Sequence, residues 1–135
     1  MKNALIALTA AALLTIPAAA QSSMTHAGAF HALGAPTTGM ASASEAGGKV
    51  TVKLTGLKTE PGPGLQVWLY AGAAPAQGSS DTDTAKGKYV KVGELKTFNG
   101  NFSFTAPAGT KLANYRSVVL WCATVKTAFA AADLK

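Results

Sequence analysis

Cys122 is the only cysteine in the 135-residue chain and closes the word Tyr115-Arg-Ser-Val-Val-Leu-Trp-Cys122. A thiolate can serve as a redox centre, a nucleophile or a metal ligand. A thiol buried among apolar groups instead packs as a small inert hydrophobe. A thiolate needs cationic company, and the nearest cations in sequence, Arg116 and Lys126, are expected to face solvent. The only histidines are His26 and His31. Two histidines, a thiolate and an axial methionine make a blue-copper set. His26, His31, Cys122 and either Met24 or Met40 supply that inventory. No histidine lies close to Cys122 in sequence, where a copper-binding loop provides one, so residue chemistry alone favours the packed thiol. Asp81-Thr-Asp-Thr-Ala-Lys-Gly87 lacks the third acid, the placed glycine and the terminal glutamate of a calcium loop, and reads as a solvated turn. No Gly-x-Ser-x-Gly, His-Glu-x-x-His or P-loop occurs, and no catalytic residues are assigned. Trp68, Tyr70, Tyr115 and Trp121 either line a groove or pack as core, the commoner fate of aromatics in central strands.

Strands must position these residues. Glycine and proline punctuate short alternating apolar runs, the pattern of an antiparallel β-sandwich or barrel-like domain. Lys-Val-Thr-Val-Lys-Leu-Thr from Lys49 puts Val50, Val52 and Leu54 on one face. Gly56 then marks a bulge or strand end, and Glu60-Pro-Gly-Pro-Gly64 is a turn cluster. Leu65–Tyr70 has two apolar faces, so it should be a central strand. Residues 71–88 lack periodicity and are expected to form a mobile loop. Asn99-Gly100 predicts a two-residue hairpin that pairs Thr97 with Phe102 and Leu95 with Phe104, placing Leu95, Phe102 and Phe104 on the core face. Ser117–Val125 is the most hydrophobic strand, with Cys122 sharing a face with Val118 and Leu120, opposite Val119 and Trp121. Residues 128–134 form a last strand or a helical turn.

Residues 1–20 read as an export signal: Lys2 is positive, Ala4 to Ile16 is apolar, and Ala18-Ala19-Ala20 precedes a cleavage point before Gln21. The apolar run is short for a bilayer span. An exported protein, periplasmic or secreted, is the expectation. Its mature chain would start with a flexible segment 21–27, and one domain would occupy 28–135. Without residues 1–20, 115 residues remain, and the loss of Lys2 lowers the net charge from +6 to +5. That basicity is scattered between Lys49 and Lys135, with Arg116 the only arginine. Nucleic-acid readers concentrate arginine on one face, so no nucleic-acid partner is expected.

Several words in order resemble one family. They are Gly28/Phe30, Gly39, the strand at Val50–Leu54, Pro63-Gly-Leu-Gln-Val-Trp-Leu69, Val92-Gly-Glu-Leu-Lys96, and Gly100 through Pro107. The last is Tyr115-Arg-Ser-Val-Val-Leu-Trp-Cys122 with Phe129, Ala132 and Leu134. Together they resemble the DM-thirteen domain, an exported all-β domain that accompanies DOMON domains and carries the label electron transfer. The resemblance implies that Cys122 is the candidate redox residue. It adds haem to copper as a conceivable cofactor, with His31 or Cys122 as a weak candidate ligand and Trp121, Trp68 and Tyr115 as structural neighbours. The chain departs from the family at Gly62-Pro-Gly-Leu65, where an Asp is usual in place of Gly64. It departs again at Ala35-Pro36, where a histidine is usual, and at Phe102 and Phe104, where Gln and Tyr are usual. Each change removes a polar group that a cofactor site could use.

Two functions are therefore weighed. One is a non-enzymatic electron-transfer accessory domain with Cys122 as its redox group. The other is a cofactor-free envelope binding or adhesion module in which Cys122 is core packing. In either case the expected partner is an unidentified protein or envelope component, and the expected state is a monomer.

Overall fold

A computed structural model describes residues 23–135; the export signal expected at 1–20 lies outside the described residues. The chain forms two antiparallel sheets packed as a β-sandwich, with no closed barrel. One sheet holds β1 (Met24–Ala29), β3 (Thr38–Ala46), β4 (Lys49–Lys58) and β7 (Asn99–Thr105), in the order β1-β3-β4-β7. The other holds β2 (His31–Ala32), β5 (Leu65–Tyr70), β6 (Tyr89–Glu94), β8 (Ser117–Cys122) and β9 (Thr127–Asp133), in the order β2-β9-β8-β5-β6.

Alternation decides the inner face of the four-stranded sheet. Val50, Val52 and Leu54 point in and are buried, while Lys49, Lys53 and Thr55 stay outside. The bulge expected at Gly56 is present: the β4–β7 register slips between Leu54 and Leu57, and Gly56 has φ +59°. The five-stranded sheet is buried on both faces. Leu65, Val67, Leu69, Val118, Leu120 and Cys122 face the space between the sheets. Trp68, Tyr70, Val119, Trp121, Ala128 and Ala131 face the other way and form a second apolar cluster.

The first segment is a bent strand. Phe30 is buried at the corner, its N–H donating to Gly39 O, and the chain passes from β1 in one sheet to β2 in the other. Residues 24–27, expected as part of a flexible lead-in, pair with Ser42–Glu45. Met24-Thr-His-Ala27 gives no hydrophobic alternation to read.

The structure overturns the expected hairpin at Asn99-Gly100. β6 stops at Glu94, and residues 95–98 cross from one sheet to the other, with Leu95 N–H donating to Leu65 O. Asn99 and Gly100 pair with Lys58 and Leu57 on β4. Local turn chemistry was outweighed by pairing with a strand about 40 residues earlier. Leu95, Phe102 and Phe104 do all pack against the inter-sheet core, as expected of a shared face. The strand from Ser117 ends at Cys122, short of Val125, because residues 123–126 turn the chain into β9. Residues 128–134 belong mostly to that strand, which settles the open choice against a helical turn.

Candidate functional site

Cys122 is the last residue of β8, fully buried, and opposite Leu65 on one side and Thr127 on the other. Its Sγ–H donates to Pro63 O at 3.3 Å. The Glu60–Gly64 turn therefore lies directly over the sulfur. Gly62 is required there: a Cβ would sit 3.4 Å from Sγ and 2.8 Å from the Phe129 ring. The cover is thus main chain and one phenyl ring. No charged side chain is buried among the described residues, and Arg116 and Lys126 are exposed. The sulfur thus sits among apolar side chains and meets one main-chain carbonyl.

His31 lies elsewhere. It pairs with Ala131, which belongs to the outer cluster, whereas Cys122 belongs to the inner one. The five-stranded sheet stands between them. Nε2 of His31 is 2.7 Å from Pro75 O; a carbonyl oxygen only accepts, so Nε2 donates there and is not free as a ligand. His26 is on β1 of the four-stranded sheet, opposite Ala43. Met24 and Met40 are both more than a third exposed, Met24 at the start of β1 and Met40 paired with Ala29 at its other end. Among the described residues no three His, Cys, Asp or Glu side chains gather. The donors weighed for copper or haem are therefore not brought to one place, and the residues present do not fit either group.

The aromatics have a different arrangement. Trp68 stacks face to face on Tyr89, with ring centroids 3.6 Å apart and planes 7° apart. Its other neighbour is Trp121 at 4.8 Å and 20°. The three rings thus span β6, β5 and β8 on the outer face, and Trp68 Nε1–H donates to Gln66 Oε1. Tyr70 lies on the same face. Burial, and secondarily the Asp83 carboxylate, holds its phenol above the ordinary tyrosine range. Tyr115 packs at the margin of the inner core instead. Tyr89 was missed as a stacking partner because a diagonal neighbour is visible only once register is known.

The segment 71–88 covers this face and is neither irregular throughout nor loosely attached. It contains α1 (Asp81–Lys86), capped by Ser80, whose Oγ accepts from Asp83 N–H. The spacing Ser80-x-x-Asp83 was a readable start signal. Asp81, expected in a solvated turn, accepts from Thr127 Oγ1 at 2.6 Å and Ala128 N–H at 3.0 Å. Ala74 N–H donates to Asp133 Oδ1, and Ser117 Oγ–H donates to Gly72 O. Between α1 and the β8–β9 turn lies a cleft of about 260 Å³, lined by Asp81, Thr82, Ala85, Lys86, Trp121 and Lys126. Lys126 has φ +55°, the only positive φ outside glycine among the described residues.

A small antiparallel β-sandwich with one covered thiol at the end of a central strand is the class that fold and site define. The family described as Electron transfer DM13 has a sequence model that matches residues 29–134, and the chain belongs to that family. Among curated proteins and among solved structures, none matches the chain.

Proposed function

We propose that the protein is an exported, non-enzymatic electron-transfer accessory domain whose redox group is the Cys122 thiol, used without a cofactor. The observation that carries this reading is the cover over Sγ, made by main chain of the Gly62-Pro63 turn and the Phe129 ring. Family membership supports the electron-transfer class. Displacing a five-residue turn uncovers the sulfur without breaking either sheet. The exposed thiol loses its proton to solvent, and its sulfur attacks a disulfide of a partner. A mixed disulfide forms, and the partner's other sulfur leaves as thiolate and takes up a proton. Cys122 is oxidised and that departing sulfur is reduced.

The test is the rate at which the folded protein reacts with a chromogenic aromatic disulfide, compared with its global unfolding rate. Reaction much faster than unfolding, accelerated by loosening the turn with Pro63→Gly, supports a gated thiol. Reaction no faster than unfolding sinks the redox reading. Export is tested separately by the mass of the chain recovered outside the cytoplasm, which should begin at Gln21.

The second reading is a cofactor-free binding module, and it has its own observation. The cleft beside Trp121 has Lys86 and Lys126 at its rim, and neither forms an ion pair among the described residues. Lys126 also holds a left-handed backbone that glycine adopts at lower cost. On this reading Cys122→Ala leaves every partner bound and only lowers stability.

A further inference from the structure

The four edges of the sandwich are not equally protected. An edge strand offers unpaired main-chain groups, and proteins shield them with charge, proline, short length, bulges or cover. β2 is two residues long. β6 carries Lys91 and Glu94, paired at 2.6 Å, and bulges at Val92, the extra residue between the partners of Val67 and Trp68. β1 is covered near its centre by the chain's end: Ala27 and Lys135 exchange N–H···O bonds in both directions at 3.2 Å.

β7 has none of these except a bulge on its neighbour near one end. It runs seven residues, Asn-Gly-Asn-Phe-Ser-Phe-Thr, without charge or proline, in a chain of net charge +6. Among the described residues its only ladder is with β4. Because Thr59 N–H donates to Phe98 O and Ala106 N–H donates to Val50 O, the even-numbered residues of β7 bond inward to β4. The main-chain groups of Asn101, Ser103 and Thr105 therefore point away from the sheet, and all three residues are exposed. Phe102 and Phe104, which face the core, remain only half-buried at this edge.

We infer that β7 pairs antiparallel with β7 of a second copy, about a two-fold axis at Ser103, in place of the monomer expected from sequence. That register sets Ser103 opposite itself and Asn101 opposite Thr105, giving about six main-chain hydrogen bonds. Two four-stranded sheets become one continuous sheet. Phe102 of each copy comes opposite Phe104 of the other, and these half-covered rings complete one another's burial. An uncharged strand is suited to meeting itself, because identical strands place like charges opposite each other whenever they carry any. The occupant is thus a copy of the same chain, and the pairing does not depend on the thiol.

Sedimentation over a range of protein concentrations is the test, with Ser103→Pro as the breaking variant. Proline at an outward-facing edge position removes the free N–H and leaves the β4 ladder intact. The expected result is a dimer for the parent protein and a monomer for Ser103→Pro, with unchanged circular dichroism. Ser103→Cys should also oxidise to a covalent dimer, since facing residues of a hydrogen-bonded pair are about 5.5 Å apart at Cα. Thr105→Cys should not. A monomeric parent at every concentration overturns the inference, including the case where it binds an extended peptide. A dimer that survives Ser103→Pro overturns it too.

Discussion

The two faces of the five-stranded sheet are both buried, but by different means. The inner face meets another sheet, and Leu65, Val67, Leu69, Val118, Leu120 and Cys122 interlock with Val50, Val52 and Leu54. That contact is apolar throughout and is held by shape and by the removal of surface from water. The outer face meets a long connection, residues 71–88, with Leu33 and Ala123 packed at its margin. Its apolar cluster centres on Trp68, Tyr70, Val119 and Trp121, and its cover is held down by polar bonds involving Asp81, Asp133, His31 and Ser117. A second sheet needs no such clamps, because its own ladder keeps it flat. A loop has no ladder, so each attachment point is a specific hydrogen bond. The candidate redox sulfur lies on the first face and the cleft of the competing reading on the second, so the two functions can be disrupted independently.

The comparison breaks first on paired truncations. Leu120→Ala on the inner face should cost about 2–5 kcal/mol, and Trp68→Ala on the outer face about 3–5 kcal/mol, both read by urea denaturation. Comparable losses establish the outer cluster as a second core. A loss below about 1 kcal/mol for Trp68→Ala would reduce the outer cluster to a superficial patch. Next in size is Asp81→Ala, which leaves the Thr127 hydroxyl and the Ala128 N–H without their acceptor. These groups are partly buried, so about 1–2 kcal/mol is expected. Hydrogen exchange should quicken across 71–88 and leave β5 and β8 protected; uniform acceleration would mean that the cover and the core unfold together.

The smallest effect is a pH dependence confined to the outer face. Burial and the Asp83 carboxylate raise the Tyr70 phenol, so the folded chain holds that proton more tightly than the unfolded chain. The resulting stability is complete below about pH 10 and is lost as pH rises through the folded value. Tyr70→Phe should therefore be close to neutral at pH 7 and should flatten part of the alkaline decline. An unchanged decline in Tyr70→Phe would place its origin elsewhere.

How much was legible depended on the range over which each signal acts. The strands at Val50–Leu54 and Leu65–Tyr70 were readable because side-chain alternation is a local property, and so was the two-faced burial around Cys122. The Asn99-Gly100 turn was misread because its chemistry is local but its outcome was decided by β4. Asp81 looked solvated because its partners, Thr127 and Ala128, lie more than 45 residues away in sequence. β1 was unreadable as a strand, since its Thr, Ala and Gly residues carry no apolar period and are ordered by β3 and the chain's end.

By itself the sequence determined an all-β sandwich of this family, with its thiol on the same face as Val118 and Leu120. Period-two patterning and the family's words need no long-range information. Only the tertiary structure decided what lies over that sulfur, that His31 and Cys122 are divided by a sheet, and that β7 is left open. Each of these depends on which distant segments share an edge or a face, and that is set by packing rather than by any residue's own preference.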